Sequence, residues 1–331
     1  MKVTMAHGSG GASTSELIEN IFAKHFKNEY LDRMEDSAVV PGNERLAVTT
    51  DSFVVTPYFF PGGDIGRLSV CGTVNDLLMS GATPKYLTCG CILEEGMDLD
   101  DLDKIIASMA KTAKEAGVSI VTGDTKVVEK RGDFGGIMIN TSGVGFVPEG
   151  LSLSPSGCKD GDVIIVSGNL GDHHAAILSG RMNIKNNIKS DNAPLVQMVT
   201  GLINENIKLH AMRDVTRGGL GTVLHEFANA SSCEIHLYQD RLPVGDEVRD
   251  FCKMLGLDPV YMGNEGKIIC VVDASDADKA LQIIKNSHYG ETAAIIGEVK
   301  RADNIGVVLH TPIGGERLIG PLYGEGLPRI C

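Results

Sequence analysis

Five aspartates stand where strands or helices are predicted to begin, end or turn toward a loop. Asp51 follows a strand predicted over 46–50, and Asp124 follows one predicted over 118–123. Asp214 follows the strand ending at Arg213 and precedes Thr216-Arg-Gly-Gly-Leu-Gly221. Asp76 sits beside Asn75 in a helix predicted to start at Asp64, and Asp36 opens a strand at Ser37. Carboxylate oxygens hold hard cations, and such cations bridge to a polyphosphate that carboxylates alone would repel. Gly218 and Gly219 let backbone N–H groups at a helix start approach phosphate oxygens. Taken singly, each acid has the common alternative use of capping a turn or helix. The two commonest nucleotide fingerprints are missing: Gly266-Lys267 is followed by Ile, and no G-x-G-x-x-G follows a strand.

A second reactive group is the thiol of Cys331, the last residue. From Gly314 to Cys331 there are five Gly and two Pro, a composition that neither a helix nor a central strand tolerates. A thiol on a swinging tail suits a covalent carrier, because it is the side chain most readily acylated near neutral pH. Prenylation does not fit, since the Cys would have to be fourth from the end. The other seven cysteines include no C-x-x-C pair and sit mostly in apolar runs. They read as core thiols of a protein in a reducing cytoplasm, without a disulfide framework. Cys89 and Cys91 share one face of a strand and read as core. Asp172-His-His174 does not read as a metal centre, because adjacent His side chains point apart and no further His lies at ligand spacing.

The elements that must position these groups fit 331 residues, enough for about two domains. Hydrophobic residues make up 43% and charged ones 22%, so a sizeable core can form without staples. The net charge of −13 argues against nucleic acid or anionic lipid as partner. No apolar stretch suggests a membrane span, and residues 1–11 do not read as a signal peptide.

Helical periodicity is predicted after Ser13, with Leu17, Ile18, Ile21, Phe22 and Phe26 on one face, and again over 64–80 and 98–116. Strands are predicted over 37–40, 46–50, 85–93, 118–122 and 136–146. Residues 148–161 mix Pro, Gly, Ser and Lys and read as a domain boundary. Beyond it, strands and helices alternate irregularly, and the polar run 181–192 reads as a mobile excursion. The order fits α+β in each half, with an N-terminal domain over 1–150, a C-terminal domain over 151–313 and a flexible tail over 314–331.

Several segments resemble the ATP-binding superfamily of aminoimidazole ribonucleotide synthetase and selenophosphate synthetase. They are Asp36-Ser-Ala-Val39, Thr50-Asp-Ser52, Gly72-Thr-Val-Asn-Asp-Leu-Leu-Met-Ser-Gly-Ala82, Gly123-Asp124 and Asp214-Val-Thr-Arg-Gly-Gly-Leu220. Within it, His7-Gly-Ser-Gly-Gly11, Phe59-Phe-Pro-Gly-Gly63, Gly123-Asp-Thr-Lys-Val127, Gly263-Asn-Glu-Gly266 and Leu327-Pro-Arg-Ile-Cys331 resemble the HypE family of hydrogenase maturation proteins. One departure is Gly171-Asp-His-His174, where the family usually reads Gly-Asp-His-Gly.

The resemblance implies a two-domain fold whose N-terminal domains pair sheets in a homodimer, with ATP near that interface under the N-terminal Gly loop. It implies that Cys331 receives a carbamoyl group from HypF, that ATP drives its dehydration to a thiocyanate, and that the HypC–HypD complex accepts the cyanide. On that reading Asp36, Asp51, Asp76, Asp124 and Asp214 handle Mg²⁺ and phosphate. Gly8, Gly10, Gly11, Asn75, Thr125, Gly218 and Gly219 contact the nucleotide. Lys126 stabilises phosphoryl charge, and Glu265 takes the amide proton, with His7 next in line. The alternative is a relative acting on a small molecule, as selenophosphate synthetase does. Against it, no Cys precedes Cys71, and Lys2 lies before the N-terminal loop rather than in it.

Overall fold

The computed structural model describes residues 2–8, 16–30, 40–130, 135–301 and 304–320. The expectations for Asp36, Gly10, Gly11, Ser13, Cys331 and the strand at 37–39 therefore lie outside the described residues.

The first half builds β1 (Leu46–Phe53), α1 (Ile65–Met79), β2 (Thr83–Glu94), α2 (Leu99–Ala116), β3 (Ser119–Val128) and β4 (Ile137–Phe146). Its sheet has the order β1-β4-β2-β3, with only β2 and β3 parallel. β1 and β4 alternate as strands with one covered face should. Phe53, Ile137, Ile139 and Thr141 are buried, whereas Leu46, Val48, Thr50 and Ser52 point away from the core and are exposed. α1 starts at Asp64, whose carboxylate accepts the N–H groups of Gly66 and Arg67 at 2.8 and 3.0 Å. It is apolar nearly all round and buried nearly all round, because the sheet, α2 and the second domain enclose it. α2 is amphipathic, capped by Asp98 and stopped by Gly117 in the left-handed region.

The second half builds β5 (Val163–Val166), α3 (Asp172–Arg181), α4 (Val196–Asn204), β6 (Leu209–Asp214), α5 (Gly219–Ser231), β7 (Glu234–Tyr238), α6 (Asp246–Leu255), β8 (Ile268–Val272), α7 (Ala277–Lys285), β9 (Ala294–Lys300), β10 (Gly306–His310) and β11 (Glu316–Ile319). The strands form one sheet in the order β11-β10-β7-β9-β5-β8-β6, antiparallel except for β7 and β10. Both halves are α+β, as the element order suggests.

Four local expectations change. β3 does not stop at Gly123 but continues to Val128, because its ladder with β2 carries on through Gly90↔Asp124 and Ile92↔Lys126. The tail composition hides β11, an edge strand held by Ile319, which is 3% exposed in the core. The first predicted helix takes a π-helical turn over Ile18–Ala23, between residues 16–17 and Lys24–Phe26; Leu17, Ile21, Phe22 and Phe26 of its apolar face are buried and Ile18 is half-buried. Residues 184–195 form no helix or strand, yet Ile188, Ser190, Asn192 and Leu195 are buried, so this run is packed rather than a free excursion. Cys89 and Cys91 are core thiols, 3% and 2% exposed. His173 packs on Phe60 and bonds Ser190 at 2.7 Å, and burial pushes His174 down to about 4. Position 174 lies in the first turn of α3, away from the left-handed φ of Gly171, so it has no need of a glycine.

Candidate functional site

α1 is the element on which the two domains meet. The Asn75 amide donates to the carbonyls of Ala193 and Glu265 at 3.0 and 3.3 Å, and its oxygen accepts the N–H of Leu195 at 3.0 Å. The next residue, Asp76, accepts from the Thr49 hydroxyl of β1 at 3.0 Å. Asp51 lies two residues further along the same face of β1. Asp214, at the end of β6, is 8% exposed and comes to this junction from the second sheet.

Burial and mutual repulsion raise the proton affinity of these acids. Asp76 is pushed up to about 7, by burial first and then by the charges of Asp214 and Asp51. Burial also raises Asp214 and Asp51. Glu265, 5% exposed, is raised well above the ordinary carboxylate range by burial, then by Asp191, Asp214 and Asp51. Arg213 stands 3.6 Å from Asp214, and the charge of Arg217 opposes the rise at Glu265 and Asp51. The structure thus brings Asp51, Asp76, Asp214 and Glu265 together.

It places Asp124 and Lys126 elsewhere. Ser52, Asn140, Gly90 and Asp124 are successive register partners across the N-terminal sheet. By the pleat, they share the face opposite Asp51. Asp124 and Lys126 are exposed there, 3.4 Å apart, and Thr125 is half-buried on the other side of the strand. The turn Met5–Gly8, which carries His7 and Gly8, lies against β3. His7 turns back on itself, its Nδ1 accepting the N–H of Thr4 at 3.0 Å.

Gly218 and Gly219 have φ of +81° and +62°, and a Cβ on Gly219 would stand 2.6 Å from the Tyr261 backbone. Only glycine suits this entry to α5, whose first turn has no side-chain cap. Residue-type reasoning missed Asp191, Lys267, Arg213 and Arg217. The charged Thr-Arg-Gly-Gly loop was the one available signal for Arg217, whereas nothing local marks Asp191.

An oxygen-only set of mutually repelling carboxylates suits a hard divalent cation such as Mg²⁺. Among the described residues, no three His, Cys, Asp or Glu side chains converge closely enough to hold a metal alone. Substrate phosphate and water would have to complete its shell.

The fold and the acid-lined junction define a class, and comparison with known proteins identifies it. Residues 34–147 match the AIR synthase related protein N-terminal domain, and residues 159–310 match the corresponding C-terminal domain. The carbamoyl dehydratase HypE of Azotobacter vinelandii is 47% identical over 335 residues, covering 99% of this chain and 97% of that one. The crystal structure of a hydrogenase maturation protein HypE in complex with ATP superposes with a TM-score of 0.95 at 45% identity, covering 99% of each chain. A HypE–HypF complex gives 0.81 at 47% identity, covering 92% of this chain and 99% of that one. The chain belongs to the HypE family of carbamoyl dehydratases.

Proposed function

We propose that this protein uses ATP to dehydrate an S-carbamoyl group on its own Cys331 to a thiocyanate, the source of cyanide ligands for the iron of a [NiFe]-hydrogenase. The observation that carries this reading is Glu265: a buried carboxylate of raised proton affinity, beside Asp51 and Asp214, on the loop that Asn75 ties to α1. A carboxylate of raised proton affinity is a stronger base, and removal of an amide proton requires one.

A carboxamide oxygen is a poor leaving group. Transfer of the γ-phosphoryl group of ATP to that oxygen makes it a good one. One N–H proton is lost as the iminophosphate forms; Glu265 then takes the second, the C–O bond breaks, and phosphate departs as C≡N forms. The sum is S-carbamoyl plus ATP giving S-cyano, ADP and phosphate. Such transfer depends on positioning and charge neutralisation. Asp51, Asp76 and Asp214, with Asp36 and Asp124, would hold Mg²⁺, which neutralises phosphate charge when bound. Lys126 would act on the phosphoryl oxygens, and Thr125, Asn75 and the glycines at 8, 10, 11, 218 and 219 would line the nucleotide.

Asp124 and Lys126 occupy the face of the sheet opposite Asp51 and Asp76. This face, where Val48 is 70% and Leu46 50% exposed, is the one on which the N-terminal sheet of a second copy would pack, over Asp124 and Lys126. We therefore read the protein as a homodimer with the nucleotide near the sheet interface. HypF as carbamoyl donor, HypC–HypD as acceptor and a cytoplasmic setting are carried over from the family resemblance. No helix among the described residues is long and apolar enough to cross a membrane. The test is intact-mass analysis of the C-terminal peptide after incubation with a carbamoyl donor and ATP. A gain of about 25 Da on the thiol is expected, and persistence of the unmodified thiol overturns the reading.

A further inference from the structure

The packed run before α4 delivers one carboxylate to the loop that carries Glu265. Asp191, whose side chain is 2% exposed, accepts the backbone N–H of Glu265 at 3.0 Å and that of Gly266 at 3.3 Å. The ammonium of Lys267 stands 3.3 Å from the same carboxylate and also donates to the Gly266 carbonyl at 3.1 Å. Three consecutive residues, 265 to 267, thus close on one side chain from 74 positions earlier in the chain. A Cβ at position 266 would lie 1.9 Å from the Asp191 carbonyl oxygen, so the glycine is what permits this approach. Two charge-assisted hydrogen bonds and a buried counter-charge hold the loop more firmly than neutral contacts would.

The residues flanking Asp191 are bound by the other domain. The N–H of Ser190 donates to the Pro61 carbonyl at 2.8 Å, and Arg67 donates to the Asn192 carbonyl at 2.9 Å. Asn75 holds Ala193 and Leu195 as well as the Glu265 carbonyl. One short segment therefore touches both α1 and the Glu265 loop.

We infer that Asp191 is the positioning residue for Glu265, fixing the base loop in register with the docked N-terminal domain so that proton abstraction depends on that docking. This inference rests on Glu265 being the base. Asp191 itself reaches no reacting atom; it acts through the backbone of residues 265 and 266.

The test uses full-length protein carbamoylated on Cys331 and follows thiocyanate formation in single turnovers against ATP concentration. Asp191→Asn keeps the volume but loses the charge and one acceptor. It is expected to lower the rate at saturating ATP roughly 10- to 100-fold, with half-saturation by ATP little changed. In a Glu265→Gln background the same change is expected to cost nothing further. A shift in half-saturation at unchanged maximal rate, or a full multiplicative loss on top of Glu265→Gln, overturns the inference. A wild-type rate in Glu265→Gln alone overturns the base assignment instead. Should Asp191→Asn fail to fold with Lys267 unpaired, Asp191→Asn combined with Lys267→Met removes both buried charges. That pair is expected to fold and still show the loss, and a wild-type rate in it overturns the inference.

Discussion

The side-chain amide of Asn75 donates to the backbone carbonyl of Glu265 at 3.3 Å, joining a helix of the first domain to a loop of the second. The same amide satisfies Ala193 and Leu195, and the residue is 3% exposed. Replacing it with Ala leaves a buried N–H and two carbonyls short of a partner, at about 1–3 kcal/mol each before relaxation. Asn75→Ala is expected to lower the stability by about 3 kcal/mol and to loosen the junction. Chemical denaturation checks the first point, and proteolysis near residues 190–195 the second. Unchanged stability would remove Asn75 from this role.

Asp76 titrates against the neighbouring charges of Asp214 and Asp51. Its folded-state pKa is raised, from 3.8 to about 7, so the protonated form is favoured by folding. That contribution is fully present below about pH 4 and is lost as the pH rises through 7. Asp76→Asn should therefore flatten the fall in stability of the nucleotide-free protein between about pH 4 and 7, gaining on the order of 2 kcal/mol over wild type at pH 8. The variant should lose ATP turnover, because one anionic oxygen is gone from the cation site. Equal pH slopes for both proteins, or near-normal turnover in a folded variant, would count against this account.

For Glu265→Gln, carbamoylated protein should still bind ATP but form thiocyanate roughly 10²- to 10⁴-fold more slowly, the usual worth of a general base. Single-turnover quenching with mass detection measures this. If the rate is unchanged the base lies elsewhere, and His7 is the next residue to replace.

The exposed face of the N-terminal sheet gives an assembly test. Val48→Arg puts a charge where the proposed second copy would pack. The fold should survive, since the side chain points to solvent, while sedimentation shows a monomer and ATP turnover falls. A variant that stays dimeric and active would argue for a different interface.

Cys331→Ala should abolish cyanide formation and hydrogenase maturation, yet leave ATP affinity and thermal stability nearly unchanged. Continued maturation would mean that the substrate is a free small molecule.

The sequence by itself marked the acids at positions 51, 76 and 214, the glycines that open α5, and the thiol at the chain end. These were legible because each depends on local chemistry: a carboxylate near an element boundary, a positive φ, a Gly- and Pro-rich run. It also pointed to two α+β halves, because the run 148–161 mixes Pro, Gly, Ser and Lys with little periodicity. Only the tertiary structure decided which of these groups meet. Asp124 sits in a strand that looks like the others, but the β2 ladder extends that strand and turns the carboxylate to the opposite face from Asp51. A one-residue difference in register sets that face, and no local signal reports it. Glu265, a candidate base on a Gly-flanked loop, is buried only because its surroundings come from α1, from β6 and from Asp191, all distant in sequence. Burial and like-charge repulsion act through space, so the acids that share a site acquire their proton affinities only when the two domains dock.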